Sequence, residues 1–305
     1  MAAAVPDFPY DAAVAELRTI RDLLRFGVTQ LQSHQVFFGH GFPDARTEAG
    51  YLIAWALHLP PGTLDDHLGA SLLRGERKMI LDLFRRRVLE RVPSPYLTGE
   101  AWLGEFSFRV DDRVLIPRSF IADLLGEGLA PWVADPEQVT DALDMCTGSG
   151  CLAILLAHAF PAARVEGVDI SPSALDVARH NVADYGLQER IALHASDLFA
   201  SVPPRTYDVI VSNPPYVDQS SMDALPPEYR KEPSLALAGG SDGLDLVRRL
   251  IEEAPGRLKP GGVLVVEIGH NQEALEAAFP DLPFTWLETH AGHEFVFLLT
   301  REQLS

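Results

Sequence analysis

The sequence predicts an α/β protein: a mostly parallel sheet with a closing antiparallel hairpin, preceded by a small helical domain and a hinge hairpin. Three observations predict it. Apolar residues in the first ninety positions recur at three- and four-residue intervals, the period of one helix face. From about Thr140, short apolar runs alternate with helical stretches, as in a parallel sheet with crossover helices. Pro93-Ser94-Pro95 separates the two patterns and marks a boundary. The expected division is residues 1–93 helical, 94–117 hairpin and 118–305 sheet domain.

The elements follow in order. Val14, Leu17, Ile20, Leu24, Val28 and Leu31 lie on one face of a first helix. Phe37-Phe38-Gly39-His40-Gly41-Phe42-Pro43 breaks it, and Thr47 is positioned to cap a second helix carrying Tyr51, Leu52, Trp55 and Leu57. Leu59-Pro60-Pro61-Gly62 ends that helix. A third spans about Ser71 to Arg91, with Met79, Ile80, Leu83, Phe84, Val88 and Leu89 apolar. Its other face carries Arg74, Arg77, Lys78, Arg85, Arg86, Arg87 and Arg91, which reads by default as a solvated face, with contact to RNA or an acidic surface as the alternative. Phe106, Phe108 and Val110 alternate with polar residues before Asp111-Asp112, and Val114-Leu115-Ile116 resumes the run, a hairpin pattern with an acidic turn. A helix from about Phe120 to Leu129 follows. Strands are expected at 142–145, 164–169, 191–194, 209–212 and 262–267, with helices over 152–160, 171–181 and 244–258. Phe284 to Leu287 and Phe295 to Leu299, separated by a polar turn with a glycine, form the closing hairpin.

Composition narrows the function classes. At 305 residues the chain suffices for one large and one smaller domain. It contains no run of eighteen apolar residues, so no membrane span is expected, and its start lacks a signal-peptide pattern. Cys146 and Cys151 bracket a glycine turn and fit no zinc or redox spacing, and no histidine pair sits at a metal-ligand spacing, so no metal is expected. A reducing, cytoplasmic setting is the simplest inference. The formal charge is −18, and it is unevenly placed: residues 1–97 hold 11 acidic and 11 basic side chains, residues 98–305 hold 32 acidic against 14 basic. That balance disfavours tracking along a nucleic-acid backbone and suits either a basic protein partner or plain solubility.

The chemistry concentrates at strand ends. The run Tyr207 to Ser212 reads as a buried strand and ends in Asn213-Pro214-Pro215-Tyr216. Two prolines fix φ and remove two backbone donors, leaving free carbonyls. Asn213 adds a side-chain acceptor, and Tyr216 can cover a flat group. Rigid acceptors beside an aromatic ring suit an amide, amine or adenine nitrogen; a plain strand-ending turn is the alternative. Upstream, Asp144-Met145-Cys146-Thr147-Gly148-Ser149-Gly150-Cys151 is a glycine turn that lets backbone approach a ligand. It lacks the Gly-Lys-Ser/Thr of a phosphate loop. Asp169, ending the next strand, can accept both hydroxyls of a ribose. Asp197 of Ser196-Asp197-Leu198-Phe199 can accept from an exocyclic amine, with Leu198 beside a base, or serve as a helix cap. Together they describe a nucleoside site without a phosphate cradle.

Asp144-x-x-x-Gly148-x-Gly150, Val168-Asp169 and Asn213-Pro214-Pro215-Tyr216 resemble the signature of class I S-adenosylmethionine-dependent methyltransferases, whose fold is Rossmann-like. Val114-Leu115-Ile116-Pro117-Arg118 and Glu232-Pro233-x-x-Ala236-Leu237-x-Gly239-Gly240-x-Asp242-Gly243-Leu244 are similar to the protein N(5)-glutamine methyltransferases. Phe37-Phe38-Gly39-His40-Gly41, Tyr96-Leu97-Thr98-x-Glu100-Ala101-Trp102 and Pro117-Arg118-Ser119 resemble the type that acts on ribosomal protein L-three, although Phe120 stands where that type typically has proline. The resemblance implies methyl transfer from S-adenosylmethionine to a glutamine side-chain amide of that protein, leaving S-adenosylhomocysteine. It implies that Cys146, Thr147, Gly148, Ser149, Gly150, Asp169, Asp197, Leu198 and Asn213 hold the cofactor. Asn213, Pro214, Pro215 and Tyr216 would hold the glutamine, with Asn213 the catalytic residue and Arg118 near the cleft mouth. It also makes residues 1–93 a substrate-recognition domain. The same chemistry on peptide release factors is the first alternative. An adenine-N6 nucleic-acid methyltransferase is the second, disfavoured by the acidic charge and the lack of a basic reading domain.

Overall fold

The computed structural model describes residues 7–304. Its chain forms two compact units, Met1–Glu100 with Pro226–Lys231, and Ala101–Leu225 with Glu232–Ser305. The boundary falls at Glu100, and a short segment far along the sequence, 226–231, joins the helical unit, which no local pattern announces.

The helical unit consists of α1 (Tyr10–Glu16), α2 (Ile20–Ser33), α3 (Ala45–Ala56), α4 (Arg74–Leu89) and α5 (Ser94–Thr98). The single first helix expected from apolar spacing is two helices. Thr19 stops the first phase and caps α2: its hydroxyl accepts from Asp22 N while the Asp22 carboxylate accepts from the Thr19 backbone N–H. Asp44, not Thr47, caps α3, accepting from Arg46 N and Thr47 N. Leu23, Leu31, Leu52, Ile53, Ile80, Leu81 and Phe84 form the core of this unit.

The basic face of α4 is not simply solvated. Arg87 is 1% exposed. Its guanidinium donates to both oxygens of buried Glu48 (2.6 and 3.2 Å), to the Phe37 carbonyl (2.8 Å) and to Glu228 (3.4 Å). Arg91 and the Phe37 backbone N–H also donate to Glu228, at 3.0 and 3.2 Å. Burial pushes the Glu228 carboxyl up, but these hydrogen bonds, that of its own backbone and the Arg87 charge outweigh it and hold the group below the usual carboxylate range. Arg77, also buried, donates to the carbonyls of Val14 and Leu17. A fork of fixed donors can satisfy carbonyls and carboxylates together, which is why arginine survives burial here.

From the boundary residue Glu100 onward the chain forms a hairpin, β1 (Glu100–Leu103) and β2 (Phe106–Arg109), turning at Gly104-Glu105. The expected hairpin across Asp111-Asp112 is therefore displaced. Val114 and Ile116 are buried, but outside any strand. After it come α6 (Ile121–Gly126), β3 (Asp141–Met145), α7 (Cys151–Ala159), β4 (Arg164–Asp169), α8 (Pro172–Asp184), β5 (Ile191–Ala195) and β6 (Tyr207–Ser212). The second unit ends with α9 (Gln219–Ala224), α10 (Asp245–Glu253), β7 (Leu258–Glu267), α11 (Gln272–Ala278), β8 (Thr285–Trp286) and β9 (Val296–Thr300). β2 of the first hairpin is fastened to α8. Asn181 accepts from Arg109 N and donates to Arg109 O, while the Tyr185 hydroxyl is bonded to both the N–H and the carbonyl of Ser107.

Seven strands form one sheet in the order β5-β4-β3-β6-β7-β9-β8, parallel from β5 to β7 and antiparallel at β9 and β8. Alternate residues feed two apolar layers. Val209, Val211, Val263 and Val265 pack with α6, α7 and α8, whereas Ile210, Leu264 and Val266 pack with α10 and α11. Burial on both faces explains why these strands read as continuous apolar runs.

Candidate active site

The strand order reverses between β3 and β6, which leave the sheet side by side, with Met145 paired to Ser212. A crevice opens outside the carboxyl ends of strands at such a reversal. Cys146 and Asn213 are the first residues beyond the two strands. In the same register Met145 faces Val168 and Asp169 faces Ala195, so the turns after β3, β4 and β5 stand in a row. A cavity of about 290 Å³ lies there. Its walls include Cys146, Gly148, Asp169, Asp197, Leu198 and Asn213, all from the α/β unit.

Asp169 is fixed by two backbone donors, Gly148 N to Oδ2 and Ser171 N to Oδ1, each at 2.8 Å. Burial raises its carboxyl above the usual range against these hydrogen bonds. Asp197 accepts from Arg249 at 2.9 Å and stays half exposed. Cys146 and Leu198 both have left-handed backbone, at φ 64° and 45°. Such conformations in non-glycine residues cluster where a ligand is held. Burial pushes both thiols up, that of Cys151 to about 12, so neither is a ready nucleophile.

Three residues of the set expected to hold the cofactor do not line the cavity. Thr147 hydrogen-bonds through its hydroxyl to Asp144, Ser149 is buried, and Gly150 is the N-cap of α7. They shape the turn from behind. Asp144 is completely buried, its Oδ2 accepting from Thr147 Oγ1 and from Ala153 N, while Oδ1 has no partner. Burial pushes its carboxyl up to about 7 despite those two bonds, and the nearby Asp169 charge adds to the rise. A folded-state value above the unfolded one stabilises most below about pH 4, and that stabilisation is lost as pH rises through 7. Between pH 5 and 8 the ligand-free protein should lose about 1–3 kcal/mol of stability relative to Asp144→Asn. Urea unfolding of both proteins at each pH measures this; parallel slopes would refute the assignment.

The Asn213–Tyr216 turn is anchored at both ends. Ser212 Oγ donates to Met145 O at 2.8 Å. At the far end, Asn271 Nδ2 donates to Tyr216 O at 2.8 Å, and the Tyr216 hydroxyl donates to Glu267 at 3.2 Å. Asn213 and Pro215 reach the cavity; Pro214 and Tyr216 are not among its lining. The stretch from Glu232 to Leu244 wraps this turn, with Val217 bonded to Leu237 and Gly239 through backbone. Gly243 is required by close approach, since a Cβ there would fall 2.3 Å from Tyr216 O. Pro233, Leu235 and Ala236 of the same stretch line the cavity.

Arg118, expected near the mouth as a substrate contact, also lies off the cavity lining. It makes a bidentate pair with buried Glu232 at 2.7 and 2.8 Å, and Glu232 takes a third bond from Ile116 N. Arg118 thus fixes the wrapping stretch. Glu267 and Asn271 were not singled out from sequence, and Glu232 only as the start of a family-like stretch. An acidic residue closing the apolar run of β7 was the one local sign of Glu267.

The family model described as methyltransferase small domain matches residues 129–225. A ribosomal protein uL3 glutamine methyltransferase of Bordetella pertussis is 60% identical over 95% of this chain and 97% of its own length. One of Neisseria meningitidis is 56% identical over 97% of each chain. Among solved structures, a methyltransferase from Pyrococcus furiosus aligns over 65% of this chain and 90% of that one, at 18% identity and TM-score 0.48.

Proposed function

The chain belongs to the ribosomal protein uL3 glutamine methyltransferases, and from that premise we propose that it transfers a methyl group from S-adenosylmethionine to the side-chain amide nitrogen of a glutamine in uL3. The observation that carries the reading is the meeting of Asp169 and Asn213 on one cavity. A carboxylate suited to a ribose diol and an oriented amide acceptor stand at opposite tasks of the same reaction.

The cavity fits S-adenosylmethionine. Asp169, held on the cavity wall by Gly148 N and Ser171 N, would accept from the two ribose hydroxyls. Val168, Ala174 and Leu198 offer an apolar wall for adenine, with Asp197 beside it for the exocyclic amine. Asp169→Ala should weaken S-adenosylhomocysteine binding by about 1.5–3 kcal/mol, the worth of charge-assisted hydrogen bonds. Titration calorimetry measures it, and unchanged affinity in a folded variant would contradict the ribose assignment.

When bound, S-adenosylmethionine supplies an electrophilic methyl group on a sulfonium sulfur. An amide nitrogen is a poor nucleophile because its lone pair is delocalised. Asn213 Oδ1 and the Pro214 carbonyl would accept its two N–H groups, holding the nitrogen and raising its electron density. Pro214 and Pro215 have no N–H to compete for those acceptors, and their fixed φ keeps the turn rigid. Orientation of this kind supplies up to roughly 7–11 kcal/mol in well-aligned systems. The product proton can leave after transfer, so no general base is needed before attack.

The partner would be read by the helical unit, Met1–Glu100 with Pro226–Lys231, which contributes no residue to the cavity lining. Incubating the protein with labelled methyl donor and, separately, uL3, a release factor and DNA tests the function. Label in uL3 is expected; label in release factor or DNA alone would overturn it.

A further inference from the structure

Glu267 closes β7 and is 1% exposed, yet nothing in methyl transfer from a sulfonium to an amide calls for a buried carboxylate there. Its two oxygens receive three donors. Oε2 accepts from Ser119 Oγ at 2.7 Å and from Phe120 N at 2.8 Å; Oε1 accepts from the Tyr216 hydroxyl at 3.2 Å. It therefore ties the Pro117-Arg118-Ser119-Phe120 segment to the far end of the Asn213–Tyr216 turn. The Tyr216 ring has little room to move. A Cβ on Gly269 would fall 2.7 Å from it, and Asn271 holds the Tyr216 carbonyl. Burying a carboxylate against these neutral donors costs stability that an apolar pair of the same shape would not.

We propose that Glu267 is a positioning residue for methyl transfer, fixing Tyr216 and through it the turn that presents Asn213 to the target amide. The proposal rests on the glutamine methyltransferase reading. Glu267 touches neither the cavity nor the reacting atoms; it acts through the phenol it holds. Its effect should fall on turnover and leave the cofactor cavity, whose walls it does not form, as it was.

The test compares wild type, Glu267→Gln, Tyr216→Phe and the double variant. Each is assayed on uL3 at saturating donor, beside S-adenosylhomocysteine titration and a melting curve. Tyr216→Phe removes one hydroxyl, so it keeps the comparison alive if Glu267→Gln is unstable. The expected result is a roughly tenfold drop in kcat for each single variant, with cofactor affinity within twofold of wild type, consistent with loss of alignment. The double variant should be no slower than the slower single variant, because both changes break one link. Wild-type turnover in Tyr216→Phe, or losses that multiply in the double variant, would overturn the proposal while leaving the function intact. Absence of wild-type turnover on uL3 would instead overturn the reading beneath it, and the proposal with it.

Discussion

Asn213→Ala should fold, lose less in S-adenosylhomocysteine affinity than in rate, and methylate uL3 roughly a hundredfold more slowly in single turnover, the scale of lost alignment. Asn213 follows β6 directly, and the turn it opens is held by Ser212 on one side and by Tyr216 on the other. The backbone path is thus independent of the Asn213 side chain. Removing its oxygen leaves one amide N–H of the target unpaired, a loss of about 1–3 kcal/mol in binding, in addition to the lost alignment. Asn213→Asp keeps an acceptor but replaces the NH2 with a negative charge, and activity above that of the alanine variant would show that acceptance is what counts. A folded Asn213→Ala protein turning over near the wild-type rate would show that Asn213 does not hold the glutamine.

The largest expected effect on stability is at the other end of the chain. Arg87→Ala leaves Glu48 and Glu228 buried without their shared guanidinium, and should cost about 3–5 kcal/mol. Arg91 and Ser94 still reach one carboxylate each, so the loss is less than that of two isolated charges. Urea unfolding measures it. All residues lining the cavity lie in the α/β unit, so cofactor affinity in the folded variant should be unchanged. A midpoint equal to wild type would contradict the role given to this network.

The same contrast explains what the sequence shows and what it hides. The strand at 164–169 is legible to the residue and that at 207–212 within two residues, because the central residues of a parallel strand are buried on both faces and mostly apolar. Their ends lie beside the cavity, so the places of Asp169 and Asn213 on its wall are legible with them. The break between α1 and α2 had a local sign too, the Thr19–Asp22 capping box, hidden because the apolar phase continues across it. Val114-Leu115-Ile116 misleads for the opposite reason. Its apolar character serves packing in a loop whose Ile116 N–H is satisfied by Glu232, 116 positions away. Arg87, Arg118 and Glu267 share that difficulty. A charged residue reads as exposed unless its partner is seen, and theirs lie 39 to 148 positions distant in sequence.

Peptide mapping of uL3 after incubation with wild-type protein and donor tests the central claim most directly. The account predicts one added methyl group on the side-chain amide nitrogen of a single glutamine, absent when Asn213→Ala replaces the wild type over the same short time. A methyl group on lysine, on a carboxylate oxygen or on a backbone nitrogen, formed equally by both proteins, would contradict it.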